Sequence, residues 1–429
     1  MHSCSSHLGA YVTPVRSPGY RRYSGIGLTV ALLLSTASAC RPGVAPPSAS
    51  LGGERKAIPV DYVVRATPEN LSWGWFPVDL EPVLTVRPGD VVEMHTLTLF
   101  GGDGRSEPVA DLGEIGIAAS EVPEELVAFW KTRESRPREG RNGHLITGPV
   151  YIEGAEPGDV LEVEILDVRP LVPWGVNFTR ARSGVLSESY PGYRAGDLPL
   201  DILPETPDKE PEDFHIIRTV TVEGRDYAVW AAGVRVPLAP FMGILAVAPD
   251  LSTERYGVDV PGVRRSGPPG RFGGNLDVKH LKAGTSVFLP VFHPGARFFV
   301  GDPHGAQGDG EVSGTAIEQS MIGTFRFRLH KNMALSQPRG ETPTHYLIMG
   351  LDTDLNRAMR NATFEVVNFL VARYCLRPSA AFSVTSAGVD FTVSEAVDGV
   401  QVITALIPKS IFPDSLRRRE LGGSVACQT

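Results

Sequence analysis

The sequence predicts a β-rich α+β fold with sandwich-like or barrel-like sheets, a few helices and one long helix near the C-terminus. Three observations predict it. Glycine (46) and proline (36) are frequent among the 429 residues, which favours short strands joined by turns. A Gly-bearing turn followed by an apolar or alternating run occurs three times, in "VRPGDVVEMHTLTL" (86–99), "AEPGDVLEVEILDV" (155–168) and "LKAGTSVFLPVF" (281–292). Two stretches stand out as helices: "VPEELVAFWKTR", and the longer "TDLNRAMRNATFEVVNFLVARYC", which opens on a Thr and an Asp placed to cap it.

In chain order, Arg16, Arg21 and Arg22 precede the apolar run "GIGLTVALLL" and the small residues "STASAC". This is the pattern of a secretory signal over 1–39, too short in its apolar part for a permanent membrane span. "ASAC" resembles a lipobox, with Ala37 where Leu is usual, so Cys40 is a candidate lipid anchor. The expected location is outside a bacterial cytoplasm, periplasmic or lipid-anchored at the envelope. Residues 40–59 read as a Pro/Gly/Ser-rich linker, 60–415 as the folded domain with possible lobes 60–265 and 266–415, and 416–429 as a tail. "HIIRTVTVEG" and "GTFRFRLHKN" add alternating strands. In the long helix, Leu355, Met359, Ala362, Val366 and Leu370 form the expected buried stripe.

A formal net charge of −8 argues against a nucleic-acid partner. Four cysteines, with Cys4 in the leader, Cys40 the candidate lipid anchor and Cys427 at the C-terminal end, do not suggest a disulfide framework, and Cys375 reads as a packed small hydrophobe.

The chemistry concentrates in "GDPHGAQGDGE" (301–311), which holds Asp302, His304, Asp309 and Glu311 among four glycines. Acids this close repel one another unless a cation compensates. Asp-x-His sets two donors on one side of an extended segment, and "GGNLD" (273–277) offers Asp277 and Asn275 nearby. Histidine with carboxylates suits zinc, manganese or a similar ion. The competing reading is a surface turn, or a calcium loop that only braces the fold.

"ITGPVYIEGAEPGDVLEVEI", "GVRVPLAPFMGILAVAP", "PGRFGGNLD", "GDPHGAQGDGEVSGTAIE", "ETPTHYLIMGLDTDLNRAM" and "SAGVDFTVSEAVDGVQVITALIPKSIF" together resemble the acetamidase/formamidase family over about residues 80–413. The resemblance implies a β-rich fold and metal-dependent hydrolysis of a short linear amide to carboxylate and ammonia. It places the metal, zinc or else calcium or another divalent ion, on Asp277, Asp302, His304 and Glu311. Glu311, or more weakly Asp309, is then the proton carrier. Asn275, the Gly274 backbone and His144 are the expected substrate contacts, with His144 equally readable as a structural residue. Gly305 stands where relatives carry Ala, and His280, where an acid is common, reads as exposed. The expected partners are a small amide and further copies of this chain. Rival readings are a serine amidase, for which only Ser313 offers itself, and an exported binding protein that keeps the fold without catalysis.

Overall fold

The computed structural model describes residues 57–413 except 99–106, 137–142, 181–183, 188–189, 191–211, 231–232 and 334. The signal, Cys40, most of the linker and the 416–429 tail lie outside the described residues.

Strands dominate, as the sequence predicts. A nine-stranded sheet runs in the order Tyr62–Val64, Val91–Thr96, Met321–His330, Val160–Pro170, Thr285–Pro290, Arg339–Glu341, His345–Asp352, Gln401–Pro408 and Asp390–Glu395. A six-stranded sheet is ordered Gly273–Asn275, Phe241–Ala246, Phe298–His304, Leu145–Ile152 and Leu71–Trp73, with Leu84–Val86 also pairing on Leu145–Ile152. A third, of four strands, holds Arg235–Pro237, Arg225–Val229, Glu212–Val222 and Trp174–Arg180. Strands from both sides of residue 265 alternate within the two larger sheets, so segments 60–265 and 266–415 share one core.

That core fills the space between the two larger sheets. Val92, Val163, Val287 and Phe325 of the first meet Ile146, Ile244, Phe298 and Val300 of the second in one fully buried cluster. Phe298 stacks edge-on against Phe325 and Phe327 at 5.7 and 5.2 Å between ring centres. Alternation along each strand produces this, because every second side chain points to the same face.

Two of the three recurring turns work through an aspartate, and the third through Thr285, whose hydroxyl donates to Lys282 O at 2.7 Å. Asp90 accepts the Arg87 N–H at 2.8 Å, and Asp159 accepts the Glu156 N–H at 2.9 Å, closing the loop before each strand. Asp159 is buried, and it also takes the Lys331 ammonium at 2.5 Å and the Asn332 N–H at 3.1 Å. Asp159→Ala strands these donors, and we expect a loss of about 2 kcal/mol with a Tm lower by several degrees. The less enclosed Asp90→Ala should lose under about 1 kcal/mol, as read by the same thermal unfolding measurement.

The described residues form four α-helices: α1 (Pro108–Glu114), α2 (Glu124–Thr132), α3 (Leu355–Tyr374) and α4 (Pro378–Gly388). Helix α3 is the longest, and the Asp354 carboxylate caps it by accepting the Arg357 N–H at 2.9 Å. Its buried stripe is Ala358, Ala362, Val366, Phe369 and Leu370, whereas Met359 is exposed. The expected stripe is thus rotated at its start. Gly350 explains the rotation: a Cβ there would collide with the backbone of Ala358 and Ala362, so helix and strand touch where only small residues fit. Cys375, which ends α3 in a left-handed conformation, is half-buried and disulfide-bonded. It is therefore not the inert packed thiol the sequence suggests.

Candidate active site

Strand Phe298–His304 runs through the middle of the six-stranded sheet and delivers Asp302 and His304 at its end. The strand is irregular at this point. Pairing with the neighbouring strand matches Met242 with Pro303 and Ile244 with Gly301, which sets Gly243 directly opposite Asp302. Asp302 has φ 50°, and Asp277 and Glu311 are also left-handed, at 47° and 44°. Three acids in a conformation that L-residues avoid mark a place where the fold holds strained backbone for its side chains.

Gly243 supplies the room. A Cβ at this position would strike Oδ1 of Asp277 and Oδ2 of Asp302, while the Gly243 carbonyl accepts the N–H groups of Leu276 and Asp277 at 2.9 and 3.3 Å. Glu311 comes from the following loop, which is pinned to the C-terminal hairpin: Gly310 N–H donates to Ser394 O, and Ala396 N–H to Gly310 O, both at 3.1 Å.

His304 stands at the centre. Its Nε2 lies 3.1 Å from Asp302 Oδ2, 3.5 Å from Glu318 Oε2 and 3.9 Å from Glu311 Oε1, and its Nδ1 lies 3.7 Å from Asp277 Oδ1. These five side chains are buried, with exposures of 0% for Asp277, 5% for Asp302, 1% for His304, 7% for Glu311 and 3% for Glu318. The half-buried Asp398 accepts a hydrogen bond from the Asn275 side-chain amide. The Asp398 N–H donates to the buried Glu395 carboxylate at 2.6 Å.

The electrostatics follow from this crowding. Burial, reinforced by the Asp302 charge, lifts the Asp277 pKa well above the usual carboxylate range. Burial and the neighbouring Asp277 do the same for Glu311. Asp398 is pushed up to about 6, chiefly by burial. For His304, burial works against the charge, but the Asp302 and Glu318 carboxylates outweigh it and raise the pKa. Asp302 is held low despite burial by the His304 and His144 rings. Charges of one sign in this number call for a compensating cation.

The donor set fits a divalent ion. Three groups bring ligand atoms within 4.8 Å of one another: Asp277, Asp302 and His304; His304, Glu311 and Glu318; and Asp277, Glu311 and Asp398. Both carboxylate oxygens of Asp277 and Oε2 of Glu318 are buried without a hydrogen-bond donor, the condition a metal ion relieves.

All four sequence-derived ligand candidates, Asp277, Asp302, His304 and Glu311, meet here. His144 also arrives, with Nε2 3.7 Å from Asp302 Oδ1 and Nδ1 2.9 Å from Ser266 Oγ. Asn275 reaches the rim through Asp398. Gly274 lies next to it, but the open side of its α-carbon faces Phe272 and Pro269 rather than the acids. Asp309 does not join: its carboxylate is about one-third exposed and pairs with Lys279 at 2.7 Å, because the glycines on either side turn it outward. Ser313 donates its hydroxyl to Thr315 O at 3.2 Å. His280, read as exposed, is half-buried. Sequence reasoning missed Glu318, Asp398, Glu395 and Gly243. A lone acid within "TAIEQSMI", close behind the motif, is the signal that could have flagged Glu318. A cavity of about 520 Å³ between segment 253–271 and α3 contains none of these residues.

Sheet order and buried centre together define a β-rich α+β protein whose two larger sheets enclose one core, with an acid–histidine cluster at the end of a central strand. Within that class the chain belongs to the Acetamidase/Formamidase family, whose profile matches residues 136–256 and 258–414. It is 35% identical to a formamidase-type protein of Schizosaccharomyces pombe over 44% of this chain, a match spanning only 52% of that protein's length. The formamidase of Methylophilus methylotrophus is 25% identical, covering 80% of this chain and 89% of that protein. The crystal structure of acetamidase from Yersinia enterocolitica superposes with a TM-score of 0.61 at 27% identity, covering 85% of this chain and 96% of that one.

Proposed function

We propose that this protein hydrolyses a short linear amide, of the acetamide or formamide type, to carboxylate and ammonia in a metal-dependent reaction. The carrying observation is the pair of buried Asp277 oxygens without donors beside His304 and Asp302. Family membership supports the bond class. An amide is a weak electrophile with a poor leaving group, so hydrolysis needs a strong nucleophile, charge stabilisation and a proton for nitrogen.

Asp277, Asp302 and His304 hold the ion, zinc being the best match to nitrogen and oxygen donors. When bound, such an ion lowers the pKa of its water from about 15.7 towards about 7 and polarises a carbonyl oxygen. Glu311 takes the proton from the attacking water and hands it to the departing nitrogen. His144, anchored by Ser266, stands at the rim as a donor to the substrate carbonyl. The Asn275 side chain, tied to Asp398, keeps the opposite wall in place.

The reading includes export, supported by the leader pattern and by the disulfide at Cys375, a bond suited to an oxidising compartment. Lipid attachment at Cys40 and assembly of several copies belong to the same proposal.

Ammonia release from a panel of short amides, with and without chelator and with added zinc, manganese or calcium, tests it. We expect chelation to abolish release and one ion to restore it. An absence of release from every amide under every ion condition would leave the binding-protein reading in its place.

A further inference from the structure

We infer that Gln307 is a positioning residue that fixes the tautomer of His304, so that the ring keeps its free lone pair on Nε2, the nitrogen facing the acids. The inference rests on the reading of this centre as a metal site and deepens it. The half-buried Gln307 lies three residues beyond His304, in the same motif but past the end of the strand.

The argument is a count of donors and acceptors. The Gln307 side-chain nitrogen donates to two backbone carbonyls, Asp277 O at 3.0 Å and Ser394 O at 3.2 Å. Neither carbonyl can donate, so the NH2 end of the amide must face them; the flipped amide would set oxygen against two oxygens. The amide oxygen Oε1 is then the atom 3.0 Å from His304 Nδ1. An amide oxygen only accepts, so Nδ1 carries the hydrogen.

With an ion bound, a ring protonated at Nδ1 offers the lone pair of Nε2 to it. That nitrogen looks towards Asp302, Glu318 and Glu311 at 3.1 to 3.9 Å. Phe241 packs edge-on against the ring with centres 5.1 Å apart, which keeps it from turning over. One amide thus ties together three segments distant in the chain, namely the Asp277 backbone, the His304 ring and the Ser394 backbone. Second partners of this kind hold a ligating histidine in one orientation and one protonation form.

Cadmium-113 binding to protein labelled with nitrogen-15 in its histidine rings provides the test. In the wild type the cadmium couples to His304 Nε2, while Nδ1 shows the shift of a protonated ring nitrogen. Gln307→Leu removes the acceptor; cadmium affinity should drop about 10- to 100-fold and the single-tautomer pattern should be lost. Gln307→Glu keeps an acceptor for Nδ1–H but loses both donors, so it should preserve the nitrogen pattern while lowering Tm. Cadmium bonded to Nδ1, or a folded Gln307→Leu with wild-type affinity and spectrum, overturns the inference. If the wild type takes up no cadmium, the metal reading fails separately. The tautomer is then read from the His304 nitrogen shifts at a pH where the ring is neutral, and a proton on Nε2 overturns the inference there too.

Discussion

Glu311→Gln should leave metal content near that of the wild type while turnover falls by about 100-fold or more, the scale usual for loss of a general acid/base. The substitution keeps the shape of the side chain and removes its capacity to take a proton. Glu311 suits that task by location: it shares the pocket with His304 at 3.9 Å yet sits on a loop held by Ser394 and Ala396 rather than on the strand with Asp302. Elemental analysis beside kcat for each folded variant makes the measurement. Asp302→Asn and His304→Ala are the contrast, since each should lose metal as well as activity. Should Glu311→Gln lose its metal as fully as they do, Glu311 is a ligand and another group moves the proton.

The second large effect needs a single methyl group. Gly243→Ala places a Cβ against both Asp277 Oδ1 and Asp302 Oδ2, in backbone that cannot retreat because its carbonyl already holds Leu276 and Asp277. We expect bound metal to fall below about a tenth of wild type and activity to fall with it. The accompanying stability loss should stay within the about 1–3 kcal/mol usual for overpacking. Gly308→Ala is the control: it lies in the motif loop itself, and a Cβ there meets nothing within 4 Å. Equal metal content in the two variants would show that the gap opposite Asp302 has no part in the centre.

The parts of the site legible in sequence are those whose neighbours in the chain are also neighbours in space. Asp302 and His304 share a strand end, and Asp277 follows a glycine pair. Glu318 and Asp398 reach the centre from elsewhere. Glu318 does so through an isolated bridge to His304, and Asp398 from a turn whose Asp-Gly pair reads as ordinary hairpin chemistry. Asp309 shows the converse error, since closeness in sequence to His304 says nothing about direction once a glycine loop intervenes. The fold follows the same division. Turns announce themselves through Asp90 and Asp159 because their hydrogen bonds are local, and Asp354 announces α3 likewise. The pairing of Val160–Pro170 with both Thr285–Pro290 and Met321–His330 depends on contacts across more than a hundred residues, which no local pattern encodes. The rotation of α3 from Met359 to Ala358 depends on Gly350, a residue in another element.

The centre is scattered from residue 144 to residue 398, and the hairpin that carries Asp398 is the last in the chain. Until Asp390–Glu395 and Gln401–Pro408 have docked, the Glu311 loop lacks its bonds to Ser394 and Ala396, and Asp277 lacks Asp398 as a neighbour. On the proposed metal reading, ion uptake would follow completed folding, and the ion would come from whichever compartment the chain folds in. If the chain is exported as proposed, the metal supply of the envelope, rather than that of the cytosol, would select the ion.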